Sequence, residues 1–287
     1  MPAPQRPDGR PLPVPATEAG RAGLAALLRT PGRALIALDF DGTLSPIVPD
    51  PAAACAHPGA VPALQRLAPL VGTLAVITGR AAEAAVELGG LDQVPGLIVL
   101  GQYGRQRWEA GDLSSPPAPP GVATARRDLP GVLAAAGAPD GTWTEDKSDA
   151  LAVHTRPAAD PERALELLRE PLAELADRTG LAVQPGRMVI ELRPPGGDKG
   201  ETLKDLQAER NTSALMYCGD DLGDVPAFLA VAQLRAAGIP GLAVCSASGE
   251  VTTLAAEADL VVDGPDGVVA LLDSLAAAME AGHGQSG

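Results

Sequence analysis

The 287-residue sequence is poor in aromatic side chains: two Trp, two Tyr and two Phe make up 2% of it. A hydrophobic share of 46% still supplies cores, which must then be filled by Ala, Val and Leu. Cysteine is scarce, and Cys55, Cys218 and Cys245 form no C-x-x-C pair. An odd, scattered set of this kind excludes a disulfide framework and points to reduced thiols. Basic residues are outnumbered, 22 Lys and Arg against 36 Asp and Glu, which leaves a formal net charge of -14. That balance argues against nucleic acid or an anionic membrane as a general partner. It also requires any anion site to be made locally positive. No apolar run reaches the roughly 18 residues of a membrane span, and the Pro-rich start lacks a signal-peptide core. A cytoplasmic, soluble protein is expected, with no membrane or nucleic-acid partner and as a monomer.

What the chain does contain is a repeated way of ending an apolar run. Residues 34–38 lead into Asp39-Phe40-Asp41-Gly42-Thr43. In extended backbone, positions i and i+2 share a side, so the carboxylates of Asp39 and Asp41 enter one space. Like charges that close raise each other's pKa unless a cation sits between them. Residues 73–77 lead into Thr78-Gly79-Arg80, and residues 213–219 into Asp220-Asp221, with Asp224 three positions on. Helical stretches alternate with these strands, giving the β-α-β pattern of a parallel sheet with crossover helices. The expected fold class is α/β, a doubly wound, Rossmann-like parallel sheet.

The rhythm changes after residue 107. A Pro-rich loop is followed by a weak helix, a strand region over 142–153, and a helix from Pro161 that Pro171 should kink or divide. Two short strands then straddle Pro185-Gly186, which reads as a hairpin turn. Hairpins sit poorly in an all-parallel sheet, so residues 108–194 read as an inserted α+β cap domain. Residues 31–107 and 195–280 form the core, and 1–30 a disordered tail with a short helix capped by Thr17. Asp198 and Glu201 bracket Lys199 in a capping pattern that opens the next helix. The Gly/Ser-rich end from Gly282 should fray.

In an open parallel sheet, ligands sit outside the carboxyl ends of the strands, so the three polar clusters can share one crevice. Lys199 can reach it from a helix start, where free N–H groups favour an anion. As many as five carboxylates (Asp39, Asp41, Asp220, Asp221, Asp224) around one point need a hard cation, and an all-oxygen set suits Mg²⁺ better than zinc. Thr78 and Lys199 add the hydroxyl and positive charge that a phosphoryl group needs. Singly, each residue has a plainer reading. Asp39 and Asp41 can form an Asp-Gly turn, Lys199 can be solvated, Thr78 can cap a helix, Arg80 can lie on the surface, and the Asp220–Asp224 group can cap. In the insert, Glu191 and Arg193 can be a strand's solvated face, His154 a satisfied strand-end histidine, and Glu145 with Lys147 an exposed ion pair.

Taken together, Asp39-Phe-Asp41-Gly42-Thr43, Thr78-Gly79-Arg80, Lys199 and Gly219-Asp220-Asp221-x-x-Asp224 resemble the four motifs of haloacid-dehalogenase-type (HAD) phosphatases. The closer similarity, from about Arg33 to Val262, is to the trehalose-6-phosphate phosphatase family. Glu145-Asp-Lys147, His154-Thr-Arg156 and the stretch from Gly186 through Glu191 and Arg193 to Pro194 are similar to that family's cap signatures. The resemblance implies that Asp39 is the nucleophile and Asp41 the general acid and base. It implies Mg²⁺ held by Asp39, the Asp41 carbonyl and Asp220, with Asp221 or Asp224 helping. Thr78, Gly79 and Lys199 would hold the phosphoryl group. Glu145, Lys147, His154, Glu191 and Arg193 would contact the sugar or close the cap. The implied reaction is hydrolysis of trehalose 6-phosphate, a small sugar-phosphate substrate, to trehalose and phosphate. Near alternatives are sucrose-phosphate and glycosyl-3-phosphoglycerate phosphatases. A phospho-receiver domain and a non-catalytic sugar-phosphate-binding protein are the alternatives of another class. Two departures stand out: Tyr103 where the family usually has His, and Gly223-Asp224-Val225 in place of Thr-Asp-Glu.

Overall fold

The computed structural model describes residues 12–117, 120–147, 149–195, 197–247 and 253–283. Most of the Pro-rich start and the last four residues lie outside them, and with them most of the expected disordered tail and part of the expected fraying. In chain order the elements are α1 (Glu18–Arg29), β1 (Ala34–Leu38), α2 (Ala60–Leu67), β2 (Thr73–Ile77), α3 (Ala82–Gly89) and β3 (Leu97–Gly101). Then come β4 (Gln106–Glu109), β5 (Asp112–Ser114), α4 (Pro120–Ala135), β6 (Trp143–Asp146), β7 (Leu151–His154) and α5 (Pro161–Thr179). The chain continues through β8 (Ala182–Gly186), β9 (Val189–Arg193), α6 (Lys199–Arg210), β10 (Ala214–Gly219) and α7 (Val225–Ala236). It closes with β11 (Gly241–Ser246), α8 (Thr253–Glu257), β12 (Leu260–Val262) and α9 (Gly264–His283). Two compact units result, Met1–Ser115 with Gly197–Gly287, and Pro116–Gly196.

The first unit holds a sheet of order β12-β11-β10-β1-β2-β3-β4-β5. From β12 to β3 the pairing is parallel. Ile36 and Leu38 pack on one face with Leu27, Leu64 and Leu272, while Leu35 and Ala37 pack on the other with Leu203, Phe228 and Val231. Helices thus cover both faces, which is why the strands read as unbroken apolar runs rather than alternating ones. The chain order runs outward in opposite directions from β1, so the reversal point lies between β1 and β10, where such sheets open a crevice. Residues 108–115, assigned to the insert from sequence, instead belong to the first unit, where β4 and β5 extend this sheet antiparallel. Trp108 lies opposite Val99 and packs against the first core, which ties the segment there.

The second unit is an antiparallel sheet of order β6-β7-β9-β8. One face, with Leu151, Val153, Ile190 and Leu192, packs on Val122 of α4 and on Leu168, Leu172 and Leu175 of α5. Two local expectations are corrected here. Helix α5 runs unbroken through Pro171, whose missing N–H leaves only the carbonyl of exposed Leu167, and water can serve that group. The hairpin turns at Arg187-Met188, with Met188 at φ 57°, while Pro185 and Gly186 continue β8. Strand β8 lies at the sheet edge, where a proline needs no partner for its absent N–H. No helix among the described residues is long and apolar enough to cross a membrane.

Candidate active site

Asp39 follows β1 directly, and its N–H donates to the Cys218 carbonyl at 2.8 Å, continuing the ladder by one step. The residue is 4% exposed. Lys199, the first residue of α6, is just as buried and donates from Nζ to Asp39 Oδ1 at 2.8 Å and to Asp224 Oδ1 at 2.7 Å. The solvated-lysine reading is therefore wrong. Burial works against the Lys199 charge, but Asp224 and Asp39 outweigh it and hold its pKa well above the ordinary value. Burial raises Asp39 well above the usual carboxylate range; Lys199 opposes this, and the neighbouring aspartates add to it.

Asp224 is fully buried and its oxygens are heavily engaged. Oδ1 also accepts from the Tyr217 hydroxyl at 2.6 Å, and Oδ2 from the N–H groups of Asp220 and Asp221 at 3.0 and 3.2 Å. Asp221 is exposed, accepts from Gly223 N–H, and forms a reciprocal capping box with Asp224. At the start of α6 Asp198 caps Gly200 and Glu201, and Glu201 does not answer in kind. The Asp220 carboxylate is buried and accepts no hydrogen bond among the described residues. Burial, then Asp39 and Asp224, push its pKa up to about 9.

Of the five carboxylates expected around one cation, Asp39, Asp220 and Asp224 each present an oxygen within 4.8 Å of the others. Asp221 stands outside that group in its cap, and the Asp41 side chain turns elsewhere. Gly42, at φ 73°, closes the cradle: a Cβ there would lie 2.0 Å from Asp220 Oδ2. An oxygen-only pocket with one carboxylate lacking any donor fits a hard divalent ion such as Mg²⁺. Asp39 and Asp220 are the side chains best placed to hold it.

The Asp41 carboxylate is gripped by Arg80, from Nε at 2.6 Å and Nη2 at 2.7 Å. Arg80 also donates to the Pro51 carbonyl at 2.8 Å and lies over the Phe40 ring. The surface reading of Arg80 is corrected, and its place directly after Thr-Gly was the available signal. Thr78 is buried at the end of β2, and its Oγ1 accepts from Arg80 N–H at 3.1 Å, closing a turn rather than capping α3. Tyr103 donates its N–H to the Thr78 carbonyl and brings its hydroxyl close over Gly79. Tyr217 was missed from sequence; a phenol inside an apolar run must find a buried partner, and that requirement was the clue.

The register of the second sheet gathers the predicted cap residues. Trp143 pairs with His154, Glu145 with Ala152, and Ala152 with Glu191, so Trp143, Glu145, His154, Glu191 and Arg193 share the face turned away from the helices. Lys147 Nζ meets Glu191 Oε2 at 2.7 Å, and His154 Nε2 meets Glu145 Oε2 at 2.9 Å. Arg193 donates to Gln184 at 3.2 Å. Glu191 is 6% exposed, so it is no solvated strand face.

A sequence model of the family described as trehalose-phosphatase matches residues 37–263. The trehalose-phosphate phosphatase of Mycobacterium marinum is 35% identical over 222 residues, covering 69% of this chain and 52% of that protein. The chain spans about half the length of the curated relatives it matches. The C-terminal domain of Candida albicans trehalose-6-phosphate phosphatase superposes with a TM-score of 0.72 at 23% identity, over 93% of this chain and 99% of that one. A haloacid dehalogenase-like hydrolase from Bacteroides thetaiotaomicron gives 0.58 at 16% identity, over 84% of this chain and 98% of that one. At such identities the solved structures speak for the fold alone. With the family model matched over most of its length and relatives near 35% identity, the chain belongs to the trehalose-phosphatase family.

Proposed function

We propose that the chain is a phosphoric monoester hydrolase that cleaves trehalose 6-phosphate to trehalose and phosphate. The observation that carries this reading is Asp39: a buried carboxylate at the end of β1, held by Lys199 at 2.8 Å and flanked by Asp220 and Asp224. An Asp39 oxygen attacks phosphorus while the P–O bond to the sugar breaks, and Asp41 gives the departing oxygen its proton. Water then attacks the aspartyl-phosphate and yields its proton to Asp41; the bond to Asp39 breaks and phosphate leaves. Lys199 supplies positive charge beside the nucleophile, and Thr78 and Gly79 supply donors for the phosphoryl oxygens. Bound at Asp39, Asp220 and the Asp41 carbonyl, with Asp224 in support, Mg²⁺ would offset the charge that separates a carboxylate from a phosphate. The polar face bearing Glu145, Lys147, His154, Glu191 and Arg193 reads the sugar hydroxyls. Free thiols at Cys218 and Cys245, both buried, agree with a cytoplasmic setting.

Phosphate release measured with Mg²⁺ across trehalose 6-phosphate, sucrose 6-phosphate and a glycosyl-3-phosphoglycerate tests the reading. The expected result is a clear preference for trehalose 6-phosphate, abolished by Asp39→Asn with the fold retained. Equal rates on all three, or turnover surviving Asp39→Asn, would overturn it.

A further inference from the structure

Aromatic side chains are scarce here, and the two tryptophans have opposite surroundings. Trp108 packs against the first core, whereas Trp143 lies on edge strand β6 and is 40% exposed. An indole left open in a chain with so few rings calls for a reason. Its neighbours supply one: Trp143 stacks face to face on the His154 imidazole, with ring centroids 4.1 Å apart and planes within 8°. The Nε2 of the same imidazole faces Glu145 Oε2 at 2.9 Å.

Those two contacts determine the ring. A carboxylate only accepts, so Nε2 carries a hydrogen and Nδ1 is the ring nitrogen left for another partner. Among the described residues Nδ1 has no partner. Stacking on the indole removes the remaining freedom, because the imidazole can neither tilt nor swing without losing the face contact. The outcome is one ring nitrogen held at a set angle on a face that also carries Glu145, Lys147, Glu191 and Arg193.

We infer that Trp143 is a positioning residue for sugar recognition: it holds His154 so that Nδ1 hydrogen-bonds a substrate hydroxyl. The inference rests on the proposed reading of this face as the sugar-binding one. Trp143 itself needs no contact with the phosphoryl group, and the chemistry at Asp39 is unaffected by it.

A double-mutant cycle tests this. Wild type, Trp143→Leu, Trp143→Phe, His154→Ala and the Leu/Ala double variant are assayed on trehalose 6-phosphate and on p-nitrophenyl phosphate, which has no sugar. Trp143→Leu should raise KM for the sugar phosphate roughly two- to tenfold, the range of an aromatic stacking contribution, with kcat near wild type. Phe should restore most of the loss, since it can still stack. Kinetics on p-nitrophenyl phosphate should not move, which a merely damaged fold would not allow. In the His154→Ala background, Trp143→Leu should add nothing. Additive effects in the cycle would overturn the inference while leaving the sugar-binding reading standing. An unchanged KM in His154→Ala would remove both.

Discussion

Arg80 holds both carboxylate oxygens of Asp41, at 2.6 and 2.7 Å, in a bidentate fork. The guanidinium is itself fixed by the Pro51 carbonyl and the Phe40 ring, so the fork sets the direction of Asp41 rather than following it. If Asp41 protonates the leaving oxygen, removing Arg80 should matter most where that proton matters most. We expect Arg80→Ala to lower kcat/KM on trehalose 6-phosphate on the order of tenfold, a fraction of the 10²–10⁴ typical for losing a general acid outright. The effect on p-nitrophenyl phosphate, whose leaving group needs no proton, should be much smaller. Asp41→Asn should show the same contrast in stronger form. Equal losses on both substrates would show that Arg80 serves some other end.

Lys199 bridges two buried carboxylates, Asp39 and Asp224. Substituting Met keeps the length and removes the charge, leaving Asp39 and Asp224 uncompensated beside each other. The expected cost is about 3–5 kcal/mol of stability in metal-free buffer, read from urea unfolding, together with loss of turnover. A divalent ion should recover part of the stability and none of the activity, because it screens the carboxylates without restoring the amine. A variant as stable as wild type in EDTA would mean that the bridge is not formed in solution.

The parts of the fold legible in the sequence are those where one physical requirement dominates. Asp39, Thr78 and Asp220 each end a largely apolar run, and a parallel sheet brings such ends to one side, so the crevice was legible in the sequence. Lys199 was legible through its helix start. Partner choice was not: that Arg80 pairs with Asp41, or that Tyr217 shares Asp224 with Lys199, depends on side-chain directions that no spacing reveals. Pro171 and Pro185 misled because the cost of a proline depends on where its missing donor would have pointed, outward in both cases. The hairpin of β4 and β5 was lost to the insert because an antiparallel edge on a parallel sheet leaves no mark in the hydrophobic pattern.

Gly42 offers a sharper test of the cradle. Its φ of 73° strains any L side chain, and a Cβ would stand 2.0 Å from Asp220 Oδ2. Gly111, at φ 92° with nothing within 4 Å, has the strain without the obstruction. Gly111→Ala should therefore cost about 1–2 kcal/mol and leave turnover intact. Gly42→Ala should lose activity well beyond its stability loss and no longer respond to Mg²⁺ in a thermal shift. Matching behaviour of the two variants would deny Gly42 any role beyond its turn.

Asp220 ties metal, protons and stability together. Burial and the neighbouring Asp39 and Asp224 push its pKa up to about 9 from an ordinary 3.8, so near neutrality the folded state keeps a proton that the unfolded chain has released. The folded state then binds more protons, and the contribution of this group to stability is fully present below 3.8 and is lost as pH rises towards about 9. Asp220→Asn carries no such proton. In EDTA the variant should therefore gain on wild type as pH rises from about 5 to about 8, by at most about 1.4 kcal/mol per unit. Mg²⁺ should act in the other direction: binding requires the carboxylate, so it displaces the proton and raises the wild-type melting temperature more at pH 8 than at pH 6. The variant should show little of that rise. A stability difference between the two proteins that does not change with pH in EDTA would mean that Asp220 is ionised without metal, and that the acidic pocket is balanced by Lys199 alone.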